Sequence, residues 1–513
     1  MSLPTLLARL AATRPVVGGR LAARLSRPVR PFAVVMGWIG SSIVFLLVAT
    51  ALGGPTEGDS AEVVYGTWAI AHGHLACVYP VVSHHVPTAV LAVPFALAAP
   101  LYPIFAGLLA FALRIGHAVP YPSTAALGPG CVHGFSAAYH WVASSGAILP
   151  TVRLGYATWV VLLAGLAYLV RSTPLRDTGW EVLSGFMAAV SPPVVMSLTY
   201  FFHPQDLLAM GLVLAATGAF VRERFALCGV LAGLALSAQQ FAVLAVVVLV
   251  VLAGRRSAIR LIAGIAAAVV VIDTPFVVVS GWRAVRTAAL GSSRVGLISG
   301  AHGGTVLFAT GLTGLADFVL ARVAPIAGAA LLAWWARRAV RGDLSNGVLV
   351  VLVTAGLWLR LAFEVNLFGY YFMATLVGLA VVETLRREVG RDVVAFVGLL
   401  MVAFNPEHIA FISNLTSYGL SLYYDLPIIV LGLGVVTLLY DTVRRRFSPT
   451  LVLWLAIVTL AGQTHLFGRY TPFWAFPEWA WQIVLVGYLM VVVARRLRWA
   501  ISESAPAEEL AVA

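Results

Sequence analysis

Apolar runs recur along most of the chain, and each is about 20 residues long, enough to cross the hydrocarbon core of a bilayer as a helix. Short polar segments rich in arginine separate them. A backbone inside lipid must satisfy its own hydrogen bonds, and the weak two-residue alternation of an outer-membrane barrel is absent from the sequence. The pattern predicts an all-α, polytopic integral membrane protein.

Arginine clusters between the runs set the predicted orientation, because cytoplasmic loops carry an excess of positive charge. With every cluster placed in the cytoplasm, the chain makes about 12 crossings and both termini are cytoplasmic. The predicted crossings lie near residues 33–52, 153–170, 181–200, 207–221, 257–277, 318–336, 346–365, 370–385, 392–413, 425–443, 449–464 and 479–494.

Two further apolar runs do not fit as single crossings. Residues 225–253 begin and end beside cytoplasmic arginine, so they cross an even number of times. We predict two short helices that meet at Gln239 and Gln240 inside the membrane, where protein or a water-filled cavity would surround the break. Residues 88–113 raise the same problem on the outer side, and we predict a second membrane-embedded helical hairpin or a membrane-embedded loop there.

The predicted domain organisation follows from these runs. Residues 1–32 form a basic cytoplasmic arm that lies on anionic membrane lipid. Residues 33–500 form a single transmembrane domain with large outer loops at 53–152 and 278–316. Residues 501–513 are predicted to be a disordered cytoplasmic tail.

Composition narrows the class of function. The chain is 61% hydrophobic and 11% charged, with a formal charge of +12. All the basic residues are arginine and they follow the membrane topology, so the charge does not indicate a nucleic-acid partner. The lack of lysine excludes a Schiff base and a P-loop lysine.

The chemistry-bearing residues concentrate on the predicted outer face. All 11 histidines fall there or in the outer half of a crossing. Cys77 and Cys131 also lie outside, where an oxidising compartment permits a disulfide between them. Cys228 lies in an apolar run and is predicted to be a small buried hydrophobic residue.

Asp59 follows the first crossing and precedes a stretch with helical spacing. In one reading it caps that helix, with Glu62 three residues on completing a capping box. In the other it is a general base at the membrane surface. The two readings are compatible, because capping fixes where the carboxylate points.

A second polar stretch, "YFFHPQDLLAMG" from 200 to 211, begins the next outer helix. Pro204 suits a first helical turn, and Asp206 suits the positive end of the helix dipole. His203 and Asp206 are also suited to hydrogen bonding a sugar or a phosphate. Both interpretations remain open.

The stretch "LRLAFEVNLFGYYF" from 359 to 372 holds charge near the outer end of a crossing. Arg360 and Glu364 are four residues apart and share a helix face. They either lock two helices by a salt bridge, or Arg360 binds a phosphate with Glu364 orienting it and Tyr371 close by. In the outer loop 278–316, His302 and several arginines would contact an anionic head group or simply lie on lipid phosphates.

Metal binding has little support in the sequence. The pairs His72/His74 and His84/His85 match no standard zinc spacing. Glu57 and Asp59 form a weak candidate for a hard divalent cation. We therefore expect no metal cofactor.

Several stretches resemble glycosyltransferase family 87 of the GT-C membrane glycosyltransferases, whose actinobacterial relatives include polyprenyl-phosphate-mannose-dependent mannosyltransferases. In chain order they are "GDSAEVVYGTWAIAHGHLACVYP", "VPFALAAPLYPIFAGLLAF", "HPQDLLAMGLVLAATGAF", "LAGLALSAQQFAVLAV" and "LRLAFEVNLFGYYFMATLVGLAVVE". The likeness covers roughly residues 33 to 385. The chain departs from it where a second acid often follows Asp59, and where a lysine often replaces Gln239 or Gln240.

The resemblance implies a GT-C-like arrangement of the transmembrane helices and an inverting transferase in the bacterial plasma membrane, with its active site on the outer face. Asp59 would deprotonate a lipid or glycan acceptor, and Arg360 would bind the phosphate of a polyprenyl-phosphate sugar donor, mannose or arabinose. His203 and Asp206 would line the acceptor side, with Gln239 and Gln240 near the donor.

Two other classes of function compete with this expectation. Broken helices are a trait of secondary transporters, although the sequence shows no repeated half and its titratable groups cluster on one face. A non-catalytic lipid-binding subunit of a cell-envelope complex would need Asp59 only as a cap.

Overall fold

The computed structural model describes residues 15–51, 67, 70, 101–112, 148–199, 202–291, 319–340, 344–364, 369–403 and 478–503. These residues are mostly helical, as the apolar runs predicted. Four of the described helices are long and apolar enough to cross a membrane, and a broken pair of shorter helices would make a fifth. The four are Pro31–Ala49, Pro204–Val221, Arg255–Val278 and Asn346–Phe363.

The chain divides into two compact units. Unit 1 comprises Met1–Gly53, Asp177–Pro193 and Gly300–Ala513, and unit 2 comprises Gly54–Arg176 and Val194–Ser299.

Unit 2 is built around helices that contact each other over most of their lengths. The helices with residues in unit 2 are α3 (Leu101–Ala112), α4 (Ile148–Val170), α6 (Pro192–Thr199), α7 (Pro204–Val221), α8 (Phe225–Ala238), α9 (Ala242–Leu252) and α10 (Arg255–Gly291). Helices α7 and α8 are antiparallel partners, and the short α9 and the long α10 follow them.

Small residues let the helices of unit 2 approach closely. Gly229 and Gly233 of α8 lie against the backbone of α10, so a Cβ at either position would meet main-chain atoms of Leu261 or Ile265. Glycine at spacing four is the usual device for such packing in membranes. Because Gly229 faces Leu261 and Gly233 faces Ile265, α8 and α10 run parallel.

The predicted break within 225–253 is present. Helix α8 ends at Ala238 and α9 begins at Ala242, with Gln239 in an extended conformation between them. A helix of 14 residues is about 21 Å long, which is shorter than the roughly 30 Å core of a bilayer. The break therefore suits a position inside the membrane.

Unit 1 holds the remaining elements. They begin with strand β1 (Pro15–Val17), α1 (Gly19–Leu25), α2 (Pro31–Ala51) and α5 (Gly179–Ala189). A π-helical turn (Val319–Val323) leads into α11 (Ala324–Ala339), followed by α12 (Asn346–Phe363). A 3₁₀ turn (Gly369–Phe372) precedes α13 (Met373–Arg386), strand β2 (Val389–Gly390), α14 (Arg391–Ala403) and α15 (Glu478–Glu503).

The core of unit 1 lies where α12, α13, α14 and α15 meet. Phe372, Phe396 and Tyr488 form its aromatic centre, with the rings of Phe396 and Tyr488 stacked at 5.7 Å. The indole of Trp358 donates a hydrogen bond of 3.1 Å to the carbonyl of Val486, which ties α12 to α15.

Part of the basic arm is attached to unit 1. Strand β1 pairs antiparallel with β2, with Pro15 opposite Gly390 and Val17 opposite Val389. Arg387 adopts the left-handed conformation that commonly ends a helix, and it turns the chain from α13 into β2. Residues 15–17 are thus held by main-chain pairing.

The segment predicted as one crossing at 181–200 is a bent pair of helices, α5 and α6, with a break before Pro192 and Pro193, because proline removes a backbone donor and disfavours helix at the residue before it. The pair is bent by 47° and is either one broken span or a re-entrant loop. Helix α10 continues to Gly291, past the predicted start of the outer loop at 278, through an alanine- and arginine-rich stretch. Its apolar part, Arg255–Val278, agrees with the crossing predicted at 257–277.

Candidate functional site

Arg360 stands near the end of α12, where the sequence placed a charged pair. Its Nε lies 3.4 Å from Oε2 of Glu364, one helical turn on. Its guanidinium lies over the ring of Tyr371, 4.0 Å from the centroid. The three predicted residues are therefore together, and the aromatic face holds the arginine by a cation–π contact.

A second arginine joins this group. Nη1 of Arg322, which lies in the π-helical turn before α11, is 3.8 Å from the same Oε2 of Glu364. The side chains of Arg322 and Arg360 keep 26% and 14% of their surface exposed. We call Arg322, Arg360, Glu364 and Tyr371 the anion site, because two guanidinium groups around one carboxylate suit a phosphate.

Unit 2 carries a separate group of polar side chains where α7 begins and α8 ends. Pro204 takes the first turn of α7, as predicted, and Asp206 lies in that turn with 1% of its surface exposed. The side-chain amide of Gln239 donates a hydrogen bond of 2.6 Å to Oδ1 of Asp206. Gln205 Nε2 lies 3.0 Å from Nδ1 of His203.

Gln239 and Gln240 sit at the predicted break. The backbone N–H of Gln240 donates to the side-chain oxygen of Gln239 at 3.0 Å, which fixes the amide of Gln239 toward Asp206. Among the predicted site residues of unit 2, His203 and Asp206 are close in sequence, and Gln239 and Gln240 are adjacent. The hydrogen bond between Gln239 and Asp206 joins these two pairs.

Asp273 extends this group into α10. The hydroxyl of Ser237 donates a hydrogen bond of 2.6 Å to Oδ2 of Asp273. Ser237 is fully buried and Asp273 is 5% exposed. Because Ser237 and Gln239 are two residues apart, the end of α8 bonds to both α7 and α10. We call Gln205, Asp206, Ser237, Gln239 and Asp273 the polar cluster.

A third group of charges lies in unit 1 at the end of α13. The guanidinium of Arg496 binds both oxygens of Asp392, at 2.7 and 3.1 Å, and its Nε donates to Glu383. Arg495 and Arg386 each add an ion pair to these carboxylates. Burial alone would lower the pKa of the Arg496 guanidinium, but Glu383 and Asp392 raise it above its usual value. We call Glu383, Asp392 and Arg496 the closed cluster.

The remaining predicted site residues lie outside the described residues. They are Asp59, Glu57, His302, Cys77, Cys131 and the paired histidines of 72–85. Cys228 is described, and it is buried, as expected, and forms no disulfide with another described residue.

Sequence reasoning missed Arg322, Ser237 and Asp273. Asp273 had a signal, because it is the carboxylate within the apolar run 257–277, and such residues are usually functional or paired. Arg322 had a weaker one, as an arginine near the outer end of the crossing predicted at 318–336. Ser237 had none, since serine is common in membrane helices.

No family model matches the sequence, and no curated protein matches it.

Proposed function

We propose that the chain transfers a sugar, mannose in the first instance, from a polyprenyl-phosphate donor to a lipid or glycan acceptor. The reaction takes place at the outer face of a bacterial plasma membrane. The observation that carries the proposal is the anion site, in which Arg360 is held over Tyr371 and shares Glu364 with Arg322. The order of the motifs that resemble family 87 supports the same reading.

The anion site suits a phosphodiester at the end of a lipid. The guanidinium of Arg360 offers parallel N–H groups to two phosphate oxygens, and Glu364 restrains both arginines until the ligand displaces part of that ion pairing. Arg360 lies in the last turn of a helix that is apolar enough to span a membrane. A ligand with an apolar tail beside a phosphate fits that location.

The chemistry is an inverting displacement at the anomeric carbon. Asp59 takes the proton of the acceptor hydroxyl, whose oxygen forms a bond to that carbon on the face opposite the phosphate. The bond between the anomeric carbon and the phosphate oxygen breaks, and polyprenyl phosphate leaves with the electron pair. The arginines stabilise the charge that develops on this leaving group.

Transfer of labelled mannose from polyprenyl-phosphate-mannose tests the proposal in membranes that hold equal amounts of folded wild-type protein or Asp59→Asn. Asparagine caps a helix about as well as aspartate, so the variant removes the base and keeps the cap. Transfer by wild type and loss in the variant support the proposal. Equal transfer by wild type and Asp59→Asn would mean that another carboxylate is the base, and Asp206 would be tested next.

A secondary transporter is the second candidate. The observation that favours it is the broken pair α8 and α9 beside the buried Asp273, since interrupted helices and intramembrane carboxylates mark substrate and proton paths. Uptake of labelled sugar into proteoliposomes without transfer to any acceptor would replace the transferase proposal with this one.

A further inference from the structure

The polar cluster of unit 2 contains buried acceptor atoms that no described residue satisfies. Oδ2 of Asp273 accepts from Ser237, but Oδ1 is buried and accepts no hydrogen bond from any residue that the structure describes. The side-chain oxygen of Gln205 is also buried and accepts no hydrogen bond from a described residue. Burying an acceptor without a donor is unfavourable, so each such atom in a native structure calls for an explanation, and a bound donor is one.

The surrounding bonds fix these acceptors in place. Asp273 lies on the buried stripe of α10, with Leu261, Ala268 and Phe276, while its neighbours Thr274 and Pro275 are exposed. Ser237 holds one oxygen of its carboxylate. Because Gln239 is bonded to Asp206, the end of α8 cannot turn away from α7 without breaking that bond.

The parallel course of α8 and α10 places the cluster at one end of unit 2. Gly229 meets Leu261, Gly233 meets Ile265, and Ser237 bonds to Asp273, so contacts advance together along both helices. Asp206 begins α7, which is antiparallel to α8, and it therefore lies at the same end. By the predicted topology this end is the outer one.

We propose that the polar cluster binds the hydroxyl groups of a sugar or polyol head group, with Asp273 and Ser237 as the main contacts. The atoms left without a partner among the described residues are acceptors, the carboxylate Oδ1 of Asp273 and the amide oxygen of Gln205, and a hydroxyl group donates to such acceptors. The oxygen of the Ser237 hydroxyl, which donates its own hydrogen to Asp273, can in turn accept from a ligand hydroxyl. Within the described residues no three His, Cys, Asp or Glu side chains gather, whereas a divalent cation prefers several oxygen ligands. The site belongs to unit 2 alone, and its binding claim does not depend on the proposed transferase activity.

The test is ligand-observed saturation-transfer NMR on the full chain in lipid nanodiscs, with butyl α-mannoside as the probe. Butyltrimethylammonium, which has the same chain length and no hydroxyl, is the control probe. Wild type is expected to transfer saturation to the sugar ring protons of the mannoside. Asp273→Asn and Ser237→Ala are each expected to reduce that transfer at least about fivefold, the loss of one hydrogen bond to a charged group.

Thr217→Ala is the matched control variant. Thr217 is a buried hydroxyl of unit 2 that donates only to the carbonyl of Val213 in its own helix. Its removal should leave the mannoside signal unchanged. If Asp273→Asn fails to fold, Ser237→Ala decides the question, because it removes one hydroxyl and retains the carboxylate.

Three results would overturn the proposal. One is a mannoside signal that survives both variants, and another is the absence of any signal that depends on Asp273. The third is an Asp273-dependent signal from the ammonium probe alone, which would make the cluster a cation site. None of these requires sugar transfer, so they are separate from the failure of the transferase assay.

Discussion

Unit 1 carries two groups of arginine and carboxylate that differ in how completely the protein surrounds them. In the closed cluster the side chains of Glu383 and Asp392 are fully buried and that of Arg496 is 4% exposed. In the anion site the side chains of Arg360, Arg322 and Glu364 are 14%, 26% and 10% exposed. The closed cluster also has the shorter contacts, at 2.7 and 3.1 Å against 3.4 and 3.8 Å.

The difference separates a structural ion pair from one that can exchange partners. Arg496 uses both sides of its guanidinium on two carboxylates that belong to different elements, and it thereby joins α13, α14 and α15. Its partners leave little room for a ligand. The contacts of the anion site are longer and its side chains keep some exposure, and the proposed function requires a phosphate to displace part of that ion pairing.

The largest expected effect is loss of folded protein when the closed cluster loses its arginine. Arg496→Met leaves Glu383 and Asp392 buried without their main cation, and breaking a buried pair in this way costs about 3–5 kcal/mol. Folded yield by size-exclusion chromatography and the midpoint of thermal unfolding measure the change. Arg498→Met is the control, because Arg498 is exposed two residues further along α15. Equal yields of the two variants would contradict a structural role.

Arg360→Met is expected to have the opposite profile. The folded yield stays near that of wild type, while sugar transfer from a polyprenyl-phosphate donor falls about 10- to 100-fold, since hydrogen bonds to charged groups are worth about 1.5–3 kcal/mol. Arg338→Met is the matched control, because Arg338 also lies over an aromatic ring, that of Trp334 at 4.0 Å. If Arg360→Met transferred sugar as fast as wild type, the anion site would take no part in the reaction.

Local patterns predicted the parts of these sites that lie close in sequence. Arg360 and Glu364 were paired from their spacing of four, and the polar dipeptide Gln239-Gln240 located the break between α8 and α9. The first prediction needed only the spacing of residues within one helical turn, and the second needed only one polar interruption of an apolar run.

Contacts across long separations were not predictable in the same way. Arg496 and Asp392 are 104 residues apart, and nothing in either segment alone specifies the other. Ser237 and Asp273 are 36 apart, and their pairing depends on the parallel packing of α8 against α10 through Gly229 and Gly233. The two helices can run parallel because the short α9 between them brings the chain back to the end where α8 begins. The composition of residues 225–253 does not determine the length of α9.

Gly390→Ala tests how tightly the closed cluster is packed, with a smaller effect than loss of its arginine. A Cβ at Gly390 would overlap the guanidinium of Arg496 and the carboxylate of Asp392. Overpacking of this kind costs about 1–3 kcal/mol, measured as a lower midpoint of thermal unfolding. Gly487→Ala in α15 meets no atom within 4 Å and should be neutral or slightly stabilising. The same midpoint for both variants would show that the cluster has room to relax.

The smallest expected effect concerns an ion pair at the rim of the closed cluster. Glu388 pairs with Arg386 at 3.2 Å, but its side chain is 44% exposed, whereas Glu383, which pairs with the same arginine, is fully buried. Solvent screens the exposed pair, so Glu388→Gln should change the free energy of unfolding by about 0–1 kcal/mol. Glu383→Gln should cost several times more, because it leaves Arg386 and Arg496 beside a neutral amide in a buried site. Each variant removes one negative charge from a partner of Arg386. If both lower the free energy of unfolding by a comparable amount, burial does not determine how much these ion pairs stabilise the fold, and the contrast drawn between the closed cluster and the anion site loses its basis.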